Sequence, residues 1–237
     1  MKTVLKKIIP VRLWLVLEFS YMKFKGLYLK YISHDYSQAG ETINIRDLLQ
    51  KGKREKGFFI EIGANDGMTV SSTFGLIING WSGLSVEANP TIFERLEKNL
   101  KKFPKVKTVC AAVAPERGSI KLFMGKNDPQ GLLSTISTES SEWFDEHRSD
   151  NFIEVPGIPL TELLDEQDAP ICPDLLVIDT EGMDYEILLT LDFQKYRPKL
   201  IVTEDYQSKN LIKFQLLENI GYTFKRQVGC NTFWLKS

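Results

Sequence analysis

The chain has 237 residues, 43% of them hydrophobic and 26% charged. That size and balance suit one large globular domain, or a domain with an appendage, able to bury a core without disulfides or structural metals. Thirty basic residues against 31 acidic give a net charge of −1, which gives no support to a general nucleic-acid binder, and 16 glycines and 10 prolines exclude collagen-like and linker-like chains. Cys110, Cys172 and Cys230 are widely spaced, and no Cys-x-x-Cys occurs. They are expected to be buried reduced thiols of a cytosolic protein. With His34 and His147 the only histidines, a Cys/His zinc site is not expected, whereas a hard-cation site built from carboxylates stays open.

Residues 1–34 hold seven basic residues and one acid, so this segment is +6 and the rest of the chain is −7. Its apolar run from Leu13 to Leu17 is far too short to span a bilayer, and no small-residue cleavage site follows. Two readings stand. One is an amphipathic helix packed on the domain; the other is a basic, Trp- and Phe-bearing interfacial helix on an anionic membrane surface. Residues 1–50 are therefore set apart as an N-terminal basic and amphipathic helical extension, and 51–237 as the main domain.

From residue 57 the chain alternates strand-like and helix-like stretches. Phe58–Ile62 reads as a strand ending in a Gly-rich turn, Thr69–Ile78 as a helix and Gly83–Glu87 as a second strand. Pro90 opens a helix over Thr91–Lys102. Val106–Cys110 is a third strand, and Ile120–Met124 a short extra one. Residues 125–154 are polar, contain Asn127-Asp128-Pro129 and a Ser/Thr-rich run, and read as an inserted loop or lid. A helix begins at Leu160–Leu164. Leu175–Asp179 is a buried strand ending in an acid, Met183–Leu191 is helical, and Leu200–Thr203 is a strand followed by Glu204 and Asp205. A helix over 208–219 ends at Gly221. Tyr222–Lys225 and Thr232–Leu235 close as a hairpin-like pair. Such alternation implies an α/β fold, with a mostly parallel sheet, helices on both faces and a ligand at the carboxyl ends of the strands.

The string Glu61-Ile62-Gly63-Ala64-Asn65-Asp66-Gly67 follows the first strand. Two glycines allow a tight turn and close approach of a ligand, and Asn65 tolerates left-handed geometry. Glu87, twenty residues after Gly67, stands where a carboxylate can accept hydrogen bonds from ribose hydroxyls. That pattern fits any adenosine-bearing cofactor, including NAD. Glu61 and Asp66 beside the turn would repel a pyrophosphate and favour the sulfonium or ammonium of S-adenosylmethionine. A glycine turn without a ligand is the remaining reading.

Several motifs in order resemble those of FkbM-type methyltransferases. They are Tyr36–Glu41, Glu61–Gly67, Val86–Pro90, Pro159–Leu164, Ile178–Gly182, Gly221-Tyr222 and Asn231–Phe233, covering about residues 34–236. The chain departs from the pattern at Thr42, where an acid often follows the first motif, and in the long 125–154 segment. The resemblance implies a Rossmann-like class I methyltransferase with a mostly parallel seven-stranded sheet. It implies that Gln38, Glu61, Gly63, Asn65, Asp66, Gly67, Glu87, Ala88, Asn89, Cys110 and Ala111 surround S-adenosylmethionine.

Methyl transfer from a sulfonium leaves the protein mainly to align the acceptor, and a hydroxyl acceptor must also lose its proton or be acidified by a metal. Asp179 and Glu181 are the candidate general bases, with Glu204 in support. Asp179 could instead cap the helix near Met183, Glu204 and Asp205 could be a solvated strand end, or several of these acids could hold Mg2+. The acceptor implied by the resemblance is a sugar hydroxyl of a surface glycan, or a secondary metabolite. Trp143, Phe144 and His147 could stack on a sugar ring or simply pack. The basic N-terminal segment would suit a lipid-linked glycan at the cytoplasmic membrane face. A small-molecule O-methyltransferase and a non-catalytic scaffold are the rival readings.

Overall fold

The computed structural model describes residues 34–52, 55–128, 130–137, 146–204 and 211–237, without the side chains of 211–214. The expected N-terminal helix over 1–33, the aromatics Trp143 and Phe144, and Asp205 lie outside the described residues.

Five strands supply the parallel part of the main sheet: β1 (Phe58–Ile62), β2 (Ser82–Glu87), β3 (Val106–Cys110), β7 (Leu175–Ile178) and β8 (Leu200–Glu204). A C-terminal hairpin, β9 (Tyr222–Val228) and β10 (Asn231–Lys236), adds two antiparallel strands, giving the order β3-β2-β1-β7-β8-β10-β9. β7 and β8 are buried along their whole lengths, which explains why they read as continuous apolar runs rather than alternating ones.

Successive residues of β1 point to opposite faces. Phe59 joins a cluster with Ile45 of α1 (Glu41–Leu48), Phe74 of α2 (Phe74–Ile77) and Leu96 and Leu100 of α3 (Pro90–Leu100). Ile60 and Ile62 join one with Leu163 of α4 (Leu160–Glu166), Ile187 of α5 (Asp184–Leu189) and Leu217 of α6 (Leu211–Asn219). Helices thus cover both faces. α3 forms as its sequence directs: Asn89 caps it by accepting from Thr91 N at 3.0 Å, Pro90 occupies the first turn, and Ile92, Leu96 and Leu100 bury one stripe.

The chain runs outward from β1 to β2 and β3, then returns to place β7 against the other side of β1. The reversal between β1 and β7 is the switch point at which ligands bind in such sheets.

Three expectations are corrected. The helix placed over Thr69–Ile78 is reduced to Phe74–Ile77. Val70 has φ +56°, and the Ser71 hydroxyl accepts from Thr73 N and Phe74 N, so residues 69–73 form turns stitched by side chains. Part of the inserted loop at 125–154 is strand: β6 (Arg148–Ile158) pairs antiparallel with β5 (Gly118–Gly125) and parallel with the short β4 (Ala112–Val113). Arg148–Glu154 of β6 is mostly exposed, so no buried face marks it in the sequence. The cysteines are free, but none is fully buried as expected: Cys110 and Cys230 are half-buried and Cys172 is exposed.

Candidate active site

A cavity of about 280 Å3 opens at the carboxyl ends of β1, β2, β7 and β8, with residues Gly131–Ile136 along another side. Its floor is the turn after β1. Gly63 N and Ala64 N donate to Val86 O, and Asp179 N donates to Ile62 O, so the turn is pinned from both neighbouring strands. Gly63 has φ +83°, and a Cβ there would lie 1.8 Å from the Asp179 carbonyl oxygen. Only glycine permits this crossing of two chain segments.

Asn65 takes φ +49° and points its N–H at Glu87 Oε2, 2.9 Å away. Its side-chain amide donates to Gly131 O at 3.0 Å and Gln130 O at 3.1 Å, tying residues 130–131 to the turn. The other oxygen of Glu87 accepts from Asn89 N at 2.8 Å. Burial pushes the Glu87 carboxyl up, and these N–H donors oppose the shift. Glu61 is buried in β1 and accepts from the Thr73 hydroxyl at 2.7 Å. Burial raises it to about 8 against that hydrogen bond, and the nearby Asp179 charge adds to the rise.

Asp179 follows β7, and Glu181 and Gly182 turn the chain with φ +52° and +101°. Buried Asp184 fixes this turn: its Oδ1 accepts from Thr180 N at 3.1 Å and the Thr180 hydroxyl at 2.7 Å. Its Oδ2 accepts from Glu204 N at 2.7 Å, which locks the end of β8 to the same turn. One side-chain oxygen each of Asp179, Glu181 and Glu204 lies within 4.8 Å of the others. Burial raises Asp179 to about 7, with the Asp184 charge adding and its hydrogen bond to Glu204 opposing. Burial first, then the Asp179 and Asp184 charges, raises Glu181 to about 8. The alternative in which Asp179 caps the following helix is not realised, because α5 has no side-chain cap.

Ten of the residues expected at the site line the cavity: Gln38, Glu61, Gly63, Asn65, Glu87, Ala88, Ala111, Asp179, Glu181 and Glu204. Four do not. The Asp66 carboxylate turns back on its own loop, accepting from Met68 N, Thr69 N and the Thr69 hydroxyl. Gly67 faces Leu96 and Leu100 of α3. Asn89 caps α3, and Cys110 ends β3 outside the lining. His147 does not line it either.

Glu41 was missed as a lining residue although it closes the first motif. It is buried, with Oε2 accepting from Ala39 N at 2.8 Å and Oε1 from Asn231 Nδ2 at 3.2 Å. Its partner in the last motif was the available signal. Leu132–Ile136 were also missed as lining, being hidden in a segment that reads as irregular. Thr135 is the best placed of them: it pairs with Phe123 through backbone hydrogen bonds and donates its hydroxyl to Glu181 O at 2.8 Å.

The fold and this cavity define a class I methyltransferase. Residues 61–224 match the methyltransferase FkbM domain, and the chain belongs to that family of S-adenosylmethionine-dependent methyltransferases. A solved FkbM methyltransferase from Methylobacillus flagellatus KT superposes with a TM-score of 0.54 at 12% identity, covering 86% of this chain and 49% of that one. The present chain therefore spans about half the length of that relative. A precorrin-6y C5,15-methyltransferase from Geobacter metallireducens GS-15 aligns at 18% identity and TM-score 0.47, over 84% of this chain and 88% of that one. Aeropyrum pernix fibrillarin, solved with natively bound S-adenosyl-L-methionine, aligns at 10% identity and TM-score 0.47, over 83% and 73%. No curated protein matches the chain.

Proposed function

We propose that the protein methylates a hydroxyl of a sugar in a surface glycan or its lipid-linked precursor. The observation that carries this reading is that Asp179, Glu181 and Glu204 open into the same cavity as Glu87. The residues present fit S-adenosylmethionine. Glu87 is buried with its oxygens oriented by the Asn65 and Asn89 N–H groups, as a ribose acceptor needs. Glu61 and Gln38 would complete that part of the site.

When bound, the cofactor supplies a methyl group on a sulfonium, an electrophile that needs no activation by the protein. The chain's work is then to hold the acceptor oxygen in line and receive its proton. Asp179 or Glu181 takes that proton. Carboxyls raised towards neutrality are suited to this, because a base is most effective near the working pH. Glu204 supports Asp179 through their hydrogen bond. Mg2+ belongs to this reading as a group that would acidify the hydroxyl at the same three acids. A lipid-linked acceptor would also give the basic residues 1–33 a role at the membrane surface.

Thermal unfolding with S-adenosylhomocysteine, followed by radiolabelled methyl transfer to a panel of oligosaccharides, tests the reading. Ligand at about 100 times its dissociation constant stabilises by about 2.7 kcal/mol, roughly 5–10 °C here. Glu87→Ala abolishes the rise, while Asp179→Asn keeps it and loses transfer. Transfer to small apolar hydroxyl compounds and to no sugar would overturn the glycan assignment, and near-normal turnover by Asp179→Asn would remove that residue as the base.

A further inference from the structure

The buried acids of the cavity fall into two groups. Glu41, Glu61 and Glu87 each accept hydrogen bonds from N–H or O–H donors. Glu181 differs. It is 9% exposed, and its Oε2 has no partner among the described residues. A carboxylate oxygen removed from water and given no donor is costly, so a native site that keeps one calls for a donor or a cation.

Among the described residues lining the cavity there is no lysine, arginine or histidine. The spacing of the acids is informative as well. Opposite oxygens around Mg2+ lie about 4.0–4.2 Å apart, and around Ca2+ about 4.6–5.2 Å, from metal–oxygen distances of about 2.0–2.1 and 2.3–2.6 Å. The three carboxylate oxygens all lie within 4.8 Å of one another, no farther apart than two oxygens that share one such ion. They are also held from behind, since Asp184 fixes both the Thr180 turn and the start of Glu204. Such support orients metal ligands before the ion arrives.

We propose that Asp179, Glu181 and Glu204 bind one oxygen-seeking divalent cation in the wall of the cavity. Each carboxylate gives one oxygen to the ion, and water or an acceptor hydroxyl fills the remaining positions. A hydroxyl on the ion is acidified, and its proton passes to a carboxylate oxygen not engaged with the metal. This deepens the methyl-transfer reading, on which the ion's catalytic role rests; the binding itself does not depend on it.

The test uses the full chain, stripped with EDTA and titrated with Mn2+ while free Mn2+ is followed by electron paramagnetic resonance. The expected result is one saturable site per chain, displaced by Mg2+. Glu181→Gln raises the dissociation constant about tenfold or more, and Glu154→Gln, an exposed acid of β6 outside the cavity lining, changes it less than about twofold. A retained thermal rise with S-adenosylhomocysteine shows that Glu181→Gln is folded, and Glu204→Gln serves in its place if it is not. Absence of saturable Mn2+ binding, or equal binding by both glutamine variants of the cluster, overturns the proposal. So does stabilisation by glucosamine in EDTA without Mn2+ binding, which assigns the cluster to an ammonium group. S-adenosylhomocysteine binding without Mn2+ binding removes the ion alone, whereas Mn2+ binding without the nucleoside removes the methyl-transfer reading alone.

Discussion

Glu61 sits in the middle of the sheet, between β2 and β7, with the Thr73 hydroxyl as its donor. Its carboxyl rises from 4.5 to about 8, so the folded protein holds a proton there that the unfolded chain releases near pH 4.5. Stability from this group is full below about pH 4.5 and is lost as the pH rises through about 8. Asp179 and Glu181 act in the same direction. The ligand-free protein is therefore expected to melt at higher temperature at pH 5.5 than at pH 8. Calorimetry of Glu61→Gln checks this: the replacement carries no titrating proton, so the slope of melting temperature against pH becomes shallower. An unchanged slope would mean that Glu61 is ionised in the fold. The sequence made Glu61 and Glu87 legible because each ends or interrupts an apolar run beside a turn. It could not separate Asp66 from them. Whether a carboxylate faces the cavity or its own loop depends on hydrogen bonds to Met68 and Thr69, and composition carries no trace of that choice.

At the scale of elements, the buried strands were legible and the covering segment was not. β1, β7 and β8 are apolar because both faces are covered, and helix α3 carries its cap, its proline and its stripe in sequence. By contrast β6 is exposed along Arg148–Glu154 and is held by pairing with β5 and by contacts such as Phe152 on Phe123. Period-two burial never develops there, so the strand reads as loop. Residues 130–135 are likewise fixed by long-range bonds, to Asn65, Phe123 and Glu181. Asn65→Gly removes this anchor, because glycine keeps the left-handed backbone while losing the two side-chain hydrogen bonds to residues 130–131 and the one that Oδ1 accepts from Asp66 N. The expected cost for the three bonds is about 1.5–4.5 kcal/mol in stability, at roughly 0.5–1.5 per bond. Weaker binding of S-adenosylhomocysteine should accompany it, since Gly131–Ile136 line the cavity. Chemical denaturation and calorimetric titration measure the two effects; full-strength binding by the variant would show that this anchor does not shape the cofactor site.

Across the whole molecule, charge is segregated: +6 in residues 1–34 and −7 in the remainder, in a chain whose total is −1. No helix among the described residues is long and apolar enough to cross a membrane. An acidic body is repelled by anionic lipid, so any attraction must come from the basic segment. Each Lys or Arg near such a surface contributes about 1 kcal/mol, screened beyond a Debye length of about 8–10 Å. Seven basic residues interleaved with Trp14, Phe19 and Phe24 combine this attraction with apolar side chains that can enter the interface. The protein is expected to co-sediment with vesicles containing phosphatidylserine or phosphatidylglycerol, and to be released by 0.5 M salt. It should ignore vesicles of phosphatidylcholine alone. Removal of residues 1–33 should abolish sedimentation and leave stabilisation by S-adenosylhomocysteine intact, because among the described residues the cavity lining begins at Gln38. If the shortened chain still sediments, the membrane role of the segment is excluded. If it loses S-adenosylhomocysteine binding as well, the segment is needed by the domain itself, and packing rather than lipid accounts for its apolar residues.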